Sequence, residues 1–224
     1  MTSDSPSTAL AVGLLGGTFD PIHFGHLRLA EELAEILQLD QVRFIPAGQP
    51  PHRGQPRAAA QHRLEMVRRA VAGNPRFRLD TREIQRDMPS YSVDTLTALR
   101  AELAAETPLV LFMGGDAFLS LTTWHEWHHL FDLAHIAVAH RPGYSLASWE
   151  DALPDTLRTC LSTRRCEQAA DILEKPAGRV FLHTITQLDI SASQIRYRAL
   201  RGQSLRYLLP DPVIDYINEN RLYV

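Results

Sequence analysis

The sequence has little cysteine, no long apolar run and no marked excess of charge of either sign. Only Cys160 and Cys166 occur among 224 residues, and two thiols at this spacing form neither a disulfide framework nor a zinc knuckle. No apolar segment approaches the roughly 20 residues that are needed to cross a bilayer. A disulfide-stabilised scaffold and a membrane-spanning protein are therefore excluded, and the low cysteine content indicates a reducing, cytoplasmic location.

The charge balance and length limit the classes of partner and the number of domains. A net charge of −3, with no runs of Lys or Arg, argues against nucleic acid or an anionic membrane as partner. Hydrophobic residues make up 45% of the chain, enough for a substantial core. We expect a disordered tail over 1–9 and a single domain over 10–224, in which 143–178 forms a less regular insertion.

Strand-like and helix-like patterns alternate along the chain. This alternation predicts an α/β fold in which a doubly wound parallel sheet carries helices on both faces. The predicted strands are 10–15, 42–45, 77–79, 109–113, 135–139 and 179–182. The main predicted helices are 27–37, 61–72, 92–103, 191–200 and 211–220, with Ser92 and Asp211 as expected N-caps.

The segment after the first strand carries the strongest chemical signal. It reads Gly-Gly-Thr-Phe-Asp-Pro-Ile-His-Phe-Gly-His from Gly16 to His26 and leads directly into a helix. A glycine turn at a helix N-terminus presents backbone N–H groups to an anion. His23 and His26 are three residues apart and lie on one side of the helix. Each imidazole can donate to a phosphate oxygen and gain charge near neutral pH, so we predict a phosphate site.

Four further motifs follow a predicted strand or open a predicted helix. In a doubly wound sheet, ligands bind at the carboxyl ends of the strands, so these motifs can share one crevice with the glycine turn. Taken singly, each also fits an ordinary proline-rich loop, a capped helix or a strand-to-helix turn. They are Pro-Pro-His-Arg at 50–53, Tyr-Ser-Val-Asp-Thr-Leu at 91–96, Gly-Gly-Asp at 114–116 and Ile-Ser-Ala-Ser-Gln-Ile-Arg at 190–196.

A fifth motif imitates a zinc site. Residues 125–129 read His-Glu-Trp-His-His, which contains the H-E-x-x-H pattern of zinc hydrolases. Thr123 and Glu126 also match a capping box, in which Thr123 would be the N-cap and Glu126 the third helical residue. We favour the capping box and expect no protein-bound metal.

The glycine turn resembles a known superfamily. Residues 17–26 meet every fixed position of the G-x-F-x-P-x-H-x-G-H signature of nucleotidylyltransferases. The other motifs, with Trp124 and the Arg-Pro-Gly at 141–143, are similar to patterns of the nicotinate mononucleotide adenylyltransferase branch. The chain departs from that branch at 47–49, where Ala-Gly-Gln stands in place of the frequent Asn or Lys before Pro-Pro-His.

The resemblance implies a Rossmann-like sheet of the nucleotidylyltransferase type and a role for each matching residue. His23, His26 and Arg196 would be catalytic. Mg²⁺ would enter with ATP, Trp124 would stack on the nicotinate ring, and backbone N–H groups near Val93 and His125 would meet its carboxylate. The implied ATP-binding residues are Gly16, Gly17, Thr18, Phe19, His23, His26, Gly114, Asp116, Ser193 and Arg196. The implied mononucleotide-binding residues are His52, Arg53, Ser92, Val93, Thr95, Trp124, His125 and Arg141.

The implied reaction is transfer of AMP from ATP to nicotinate mononucleotide, with release of pyrophosphate. Two alternatives remain at this stage: another phosphate acceptor such as phosphopantetheine, or a nucleotide-binding protein without turnover. The motifs at 50–53 and 91–96 and Trp124 argue against the first alternative. The presence of both turn histidines and Arg196 argues against the second.

Overall fold

A parallel sheet forms the centre of the computed structural model, which describes residues 11–51, 54–140, 146–186 and 188–224. Within these residues the sheet has seven strands in the order β3-β2-β1-β4-β5-β7-β6, and each neighbouring pair is parallel. The doubly wound parallel sheet is therefore confirmed. The strands are β1 Val12–Gly17, β2 Gln41–Pro46, β3 Phe77–Leu79, β4 Leu109–Gly114, β5 His135–His140, β6 Arg165–Cys166 and β7 Val180–Thr184.

The strand order reverses next to β1. The chain moves outward from β1 to β2 and β3, and then places β4 on the other side of β1. Connections on opposite sides of two neighbouring strands leave a crevice at their carboxyl ends, where ligands bind in open α/β sheets. β1 ends in the predicted phosphate turn, and β4 ends at Gly114.

Helices and 3₁₀ turns connect these strands. The helices are α1 Phe24–Ile36, α2 Ala60–Val71, α3 Arg82–Gln85, α4 Ser92–Glu102, α5 Gly115–Leu119, α6 Leu130–Leu133, α7 Leu146–Asp151, α8 Asp155–Arg164, α9 Ala192–Leu200 and α10 Asp211–Glu219. The 3₁₀ turns are Leu121–Thr123, Trp127–His129 and Ala169–Glu174. None of the helices in the described part of the chain is long and apolar enough to span a membrane.

Two apolar cores cover the two faces of the sheet. Because side chains alternate across a strand, β4 sends Val110 and Phe112 to one core and Leu109, Leu111 and Met113 to the other. The first core is completed by α1, α2, α9 and α10. The second is completed by α4 and by the segments from α5 to α8. This two-sided burial explains why β4 is apolar throughout.

Three predicted helix caps are wrong, although the helices predicted at 92 and 211 begin there. α4 begins at Ser92 with Tyr91 as N-cap, and within the described residues no side chain caps it. α10 begins at Asp211, so Pro210 is its N-cap. The capping box at Thr123 is absent, because Thr123 ends a 3₁₀ turn and its Oγ1 donates to the carbonyl of Ser120 at 2.8 Å.

The predicted insertion over 143–178 contributes to the sheet and to both cores, to the first through Cys166 and Ile172. Its described part contains α7, α8 and the edge strand β6, which pairs with β7. Leu157 and Leu161 of α8 are buried in the second core. The polar composition of this segment did not predict these elements, because each of them buries only a few side chains. The predicted tail over 1–9 lies outside the described residues.

His135 joins β5 to the segment before β7. Its ring is buried, its Nδ1 accepts a hydrogen bond from the backbone N–H of Arg179 at 3.1 Å, and its Nε2 therefore donates to the carbonyl of Lys175 at 2.7 Å. Burial lowers the pKa of His135 from 6.5 to about 4. Protonation would place a second hydrogen on Nδ1 and break the bond from Arg179.

We predict that this histidine makes the fold sensitive to acid. Between pH 6.5 and about 4 the unfolded chain binds a proton at His135 and the folded chain does not, so the free energy of unfolding falls by roughly 3 kcal/mol as the pH drops through this range. Denaturant unfolding at several pH values measures the fall. His135→Gln should reduce the pH dependence, whereas substitution of the exposed His129 by Gln should not. An equal fall in both variants would contradict this assignment.

Candidate active site

A cavity of about 930 Å³ opens at the carboxyl ends of β1 and β4. This volume is within the range of small-molecule sites. Its wall includes the turn after β1, the start of α1, the segment before α4, the end of β4 and the segment 185–192. The predicted motifs at 16–26, 91–96, 114–116 and 190–196 thus meet in one crevice.

The turn after β1 is held by hydrogen bonds to its carbonyl oxygens. The Gly17 carbonyl accepts from the backbone N–H of Ala47 at 2.9 Å. The Thr18 carbonyl accepts from Arg63 at 2.7 Å, and the Asp20 carbonyl from Arg196 at 2.7 Å. These bonds draw the negative ends of three peptide dipoles toward donors of the protein, which favours an anion at the cavity side of the turn.

Phe19 shapes the turn from inside the core. It has a left-handed backbone, with φ of 49°, and its ring is 2% exposed. A Cβ on Gly17 would lie 3.0 Å from that ring, so the glycine leaves room for it. Phe19 lines the cavity as predicted, but its buried ring leaves the backbone as the part that faces a ligand.

The two turn histidines stand side by side at the start of α1. His23 is the N-cap, and its ring centroid lies 3.8 Å from that of His26. The His26 Nδ1 accepts from the His23 backbone N–H at 3.3 Å, so in neutral His26 the hydrogen is on Nε2, which can donate to a ligand. A Cβ on Gly25 would lie 3.0 Å from the His23 Nδ1, which explains the glycine of the Gly-His pair.

His23 differs from the expectation that both rings gain charge near neutral pH. It is 6% exposed, and burial lowers its pKa from 6.5 to about 4. Within the described residues its Nδ1 has no hydrogen-bond partner. Without a ligand, His23 is therefore a neutral donor and acceptor at pH 7, and burial is the property that the sequence pattern did not reveal.

The N-terminal half of α9 and its N-cap supply a cation and a hydroxyl to the cavity. Arg196 lines the cavity, and its guanidinium contacts the turn through Asp20. Ser191 is the N-cap of α9 and accepts from the backbone N–H of Gln194 at 3.3 Å. Ser191 also lines the cavity, whereas the predicted Ser193 does not; the two hydroxyl oxygens lie 3.1 Å apart.

Aromatic side chains and the end of β4 form the wall of the cavity opposite the histidine turn. The rings of Tyr91 and His125 contact each other at a tilt of 36° with centroids 4.4 Å apart, and Trp124 also lines the cavity. Gly114 and Asp116 line it too, and among the described residues, apart from its chain neighbours, none has an atom within 4 Å of where a Gly114 Cβ would be. A flat ring between the aromatic side chains and a ribose near Asp116 are compatible with this wall.

Two predicted residues of α4 face away from the cavity, although Ser92 lines it. Val93 is 5% exposed and belongs to the second core. Thr95 is also buried, and its hydroxyl donates to Glu83 Oε1 at 2.7 Å. Their side chains are therefore structural, and a contact of Val93 with a ligand would have to come from its backbone.

Sequence reasoning did not place Glu83 or Tyr91 in the wall of the cavity. It also chose Ser193 as the ligand-binding serine, whereas Ser191 lines the cavity. Glu83 lines the cavity, and burial raises its pKa, an effect that the hydrogen bond from Thr95 opposes. It lies in the four-residue helix α3, which is too short to show periodicity. The predicted His52, Arg53 and Arg141 lie outside the described residues.

The imitation zinc motif does not form a helix. Glu126 has φ of 49° and precedes a 3₁₀ turn at Trp127–His129, so the two histidines lack the helical spacing that zinc hydrolases use. In the described part of the chain, no cluster of three or more His, Cys, Asp or Glu residues could hold a metal ion.

Comparison with known proteins gives one consistent family. Residues 14–198 match the cytidylyltransferase-like family. The chain is 52% identical over 212 residues to the probable nicotinate-nucleotide adenylyltransferase of Dechloromonas aromatica (strain RCB), covering 95% of this chain and 97% of that protein. It is 50% identical over 210 residues to the protein of the same name from Acidithiobacillus ferrooxidans, covering 94% of each.

A solved structure supports the same fold. Plasmodium falciparum nicotinic acid mononucleotide adenylyltransferase complexed with NaAD superimposes with a TM-score of 0.70 at 17% identity, covering 95% of this chain and 97% of that chain. At this identity the likeness bears on the fold alone.

We predict that His23 titrates well below an ordinary histidine. In the ligand-free protein its ring should titrate near pH 4, and tripolyphosphate should raise that pKa, because a nearby anion stabilises the imidazolium. Nuclear magnetic resonance of ¹⁵N-labelled histidine measures both values, with His23→Gln to assign the signal. Titration near 6.5 without ligand would contradict the burial argument.

Proposed function

Because the chain belongs to the nicotinate-nucleotide adenylyltransferase family of cytidylyltransferase-like proteins, we infer that it transfers AMP from ATP to nicotinate mononucleotide. The products are nicotinate adenine dinucleotide and pyrophosphate, and the reaction is part of NAD biosynthesis. The observation that carries this conclusion is one cavity in which the histidine turn and Arg196 face an aromatic wall.

The reaction is a direct in-line displacement. A 5′-phosphate oxygen of nicotinate mononucleotide attacks the α-phosphorus of ATP, the bond from that phosphorus to the bridging oxygen breaks, and pyrophosphate leaves with its electron pair. A phosphate monoester has a second pKa near 6, so at pH 7 the attacking group is mostly a dianion. It needs no general base, and the protein contributes positioning and neutralisation of charge.

We assign the phosphate contacts to the side of the cavity formed by the turn. The His26 Nδ1 accepts from the His23 backbone N–H, which places the hydrogen of the neutral His26 ring on Nε2, and we propose that this N–H donates to the α- and β-phosphate oxygens together with His23. Arg196 would hold the β/γ end. Hydrogen-bond donors that are already oriented stabilise charge that develops on the transferring phosphoryl group.

We place the mononucleotide at the aromatic wall. Trp124 would stack on the pyridine ring, and backbone N–H groups at the start of α4 and near His125 would meet the ring carboxylate, as the positive end of a helix favours an anion. His52, Arg53 and Arg141 are proposed for its phosphate. The aromatic wall favours this acceptor over phosphopantetheine, which has no aromatic ring.

Mg²⁺ is proposed as part of the ATP substrate. Because the described residues contain no cluster of three metal-ligating side chains, the ion would be held chiefly by triphosphate oxygens and water, as is usual for Mg²⁺. It would neutralise charge on the departing pyrophosphate.

We also propose a cytoplasmic location, which the free thiols of Cys160 and Cys166 support.

The acceptor preference gives a direct test. With ATP and Mg²⁺, pyrophosphate release should be at least tenfold more efficient, in kcat/KM, with nicotinate mononucleotide than with nicotinamide mononucleotide. A tenfold preference corresponds to about 1.4 kcal/mol at the ring carboxylate. Equal efficiency would contradict the assigned carboxylate contact. Tight ATP binding without release with either acceptor would favour a protein that binds nucleotides without turnover.

His26 should matter more for turnover than for acceptor binding. His26→Ala removes a donor to the reacting phosphates, so kcat should fall by about 10²-fold or more, while the Kd for nicotinate mononucleotide changes by less than about threefold. Steady-state kinetics and calorimetry measure the two quantities. His128→Ala is the control, because that histidine is exposed and does not line the cavity. Near-normal turnover of His26→Ala would refute the assigned role.

A further inference from the structure

Arg63 lies in α2, outside every motif that the sequence singled out, and its side chain is almost completely buried. It is 1% exposed. Its guanidinium donates to four carbonyl oxygens: those of Thr18 at 2.7 Å, Ala47 at 2.6 Å, Gly48 at 3.0 Å and Ala58 at 3.3 Å. A buried cation is costly unless it is fully hydrogen-bonded, so this arrangement needs all four oxygens.

The four oxygens belong to two parts of the site. Thr18 is in the phosphate turn. Ala47, Gly48 and Ala58 are at the two ends of the segment 47–58, which we call the acceptor loop because it contains the Pro-Pro-His-Arg motif proposed for the mononucleotide phosphate. One planar group thus fixes both ends of the acceptor loop relative to the turn that faces ATP.

Asp20 completes this connection from the turn itself. Its carboxylate accepts from the backbone N–H of Arg57 at 2.8 Å and of Ala58 at 3.1 Å. Ala58 is therefore held on both sides, its N–H by Asp20 and its carbonyl by Arg63. The Tyr223 hydroxyl also donates to Asp20, at 2.8 Å, which adds the C-terminal segment to the same network.

Gly48 shows how little freedom this end of the loop has. A Cβ there would lie 2.2 Å from the carbonyl oxygen of Glu83, which is backbone and cannot rotate away. The Gly48 N–H donates to Ser90 Oγ at 3.0 Å. The loop end is wedged against α3 while Arg63 holds its carbonyl.

Only arginine can make this connection. A guanidinium has five N–H donors in a fixed planar fork, whereas a lysine ammonium is a compact charge with three donors. Burial lowers the pKa of Arg63, and the Asp20 carboxylate opposes this effect. The network therefore couples a buried charge to a geometry that lysine does not reproduce.

We propose that Arg63 is a positioning residue that sets the relative placement of the acceptor loop and the phosphate turn, and hence of the attacking phosphate and the α-phosphorus. This proposal rests on the proposed function. An in-line displacement depends steeply on that placement, since small misalignments of reacting groups cost orders of magnitude in rate. Each substrate binds mainly to one side, so affinity for either one alone depends less on Arg63.

Arg100 offers a matched control for a purely structural role. It also donates to three carbonyl oxygens, those of Thr107, Leu133 and Pro176, and burial likewise lowers its pKa. Neither arginine lines the cavity, but Thr18 and Ala47, which accept from Arg63, do, whereas none of the three partners of Arg100 does. Arg63→Lys and Arg100→Lys thus remove the same kind of contact at different distances from the reaction.

The test compares the two lysine variants with the wild type, at a temperature well below the Tm of each. We expect Arg63→Lys to lower kcat for pyrophosphate release by about tenfold or more, with KM for ATP changed by less than about threefold. We expect Arg100→Lys to keep kcat within about twofold of the wild type, even if its Tm falls by as much as the Tm of Arg63→Lys. Asp20→Asn should behave like Arg63→Lys, and it replaces that variant if Arg63→Lys does not fold.

A second readout requires no turnover. Amide hydrogen exchange at residues 47, 57 and 58 should accelerate in Arg63→Lys and stay unchanged in Arg100→Lys. The proposal is overturned if kcat of the two lysine variants falls equally, if KM values rise with kcat unchanged, or if exchange at 47–58 is unaffected. If the wild-type protein does not use nicotinate mononucleotide but exchange is faster in Arg63→Lys, the proposed function is contradicted and the loop connection is established.

Discussion

The site depends on how the backbone of the turn after β1 is held. A turn presents an anion-binding surface only if its carbonyl dipoles point elsewhere, and here the carbonyls of Gly17, Thr18 and Asp20 accept hydrogen bonds from Ala47, Arg63 and Arg196. Two of these donors are cations from helices α2 and α9, which follow the turn by 45 and 176 residues in the chain. The shape of the phosphate site is therefore a tertiary property, although its residues are consecutive.

The electrostatics of the site follow from partial burial. His23 is neutral at pH 7 because its environment does not solvate an imidazolium, and its neighbour His26 has its tautomer fixed by a backbone N–H. A neutral His23 in the same cavity as the half-buried cation Arg196 can donate to a polyphosphate without adding a second cation to the empty site. The charge of the ligand would then favour protonation of His23.

The fold brings the two substrate sides together through the reversal of strand order beside β1. The turn after β1 and the start of α5 after β4 lie at adjacent strand ends, while α3 and α4 place Glu83, Tyr91 and Ser92 across the cavity. α1 and α4 pack on opposite faces of the sheet, so the two sides of the crevice rest on separate cores. One buried arginine in α2 links the turn to both ends of the acceptor loop.

The amino-acid sequence was enough to predict the alternation of strands and helices, the parallel sheet and the residues of the histidine turn, because apolar periodicity and local turn chemistry act over a few residues. It also indicated the family. Other features became visible in the folded chain alone: Thr95 bonds Glu83, Ser191 lines the cavity where Ser193 does not, His23 is buried, and Arg63 joins residue 18 to residues 47, 48 and 58. These contacts join residues that are far apart in the chain, or depend on which way a side chain faces, and neither burial nor direction is written in a local pattern.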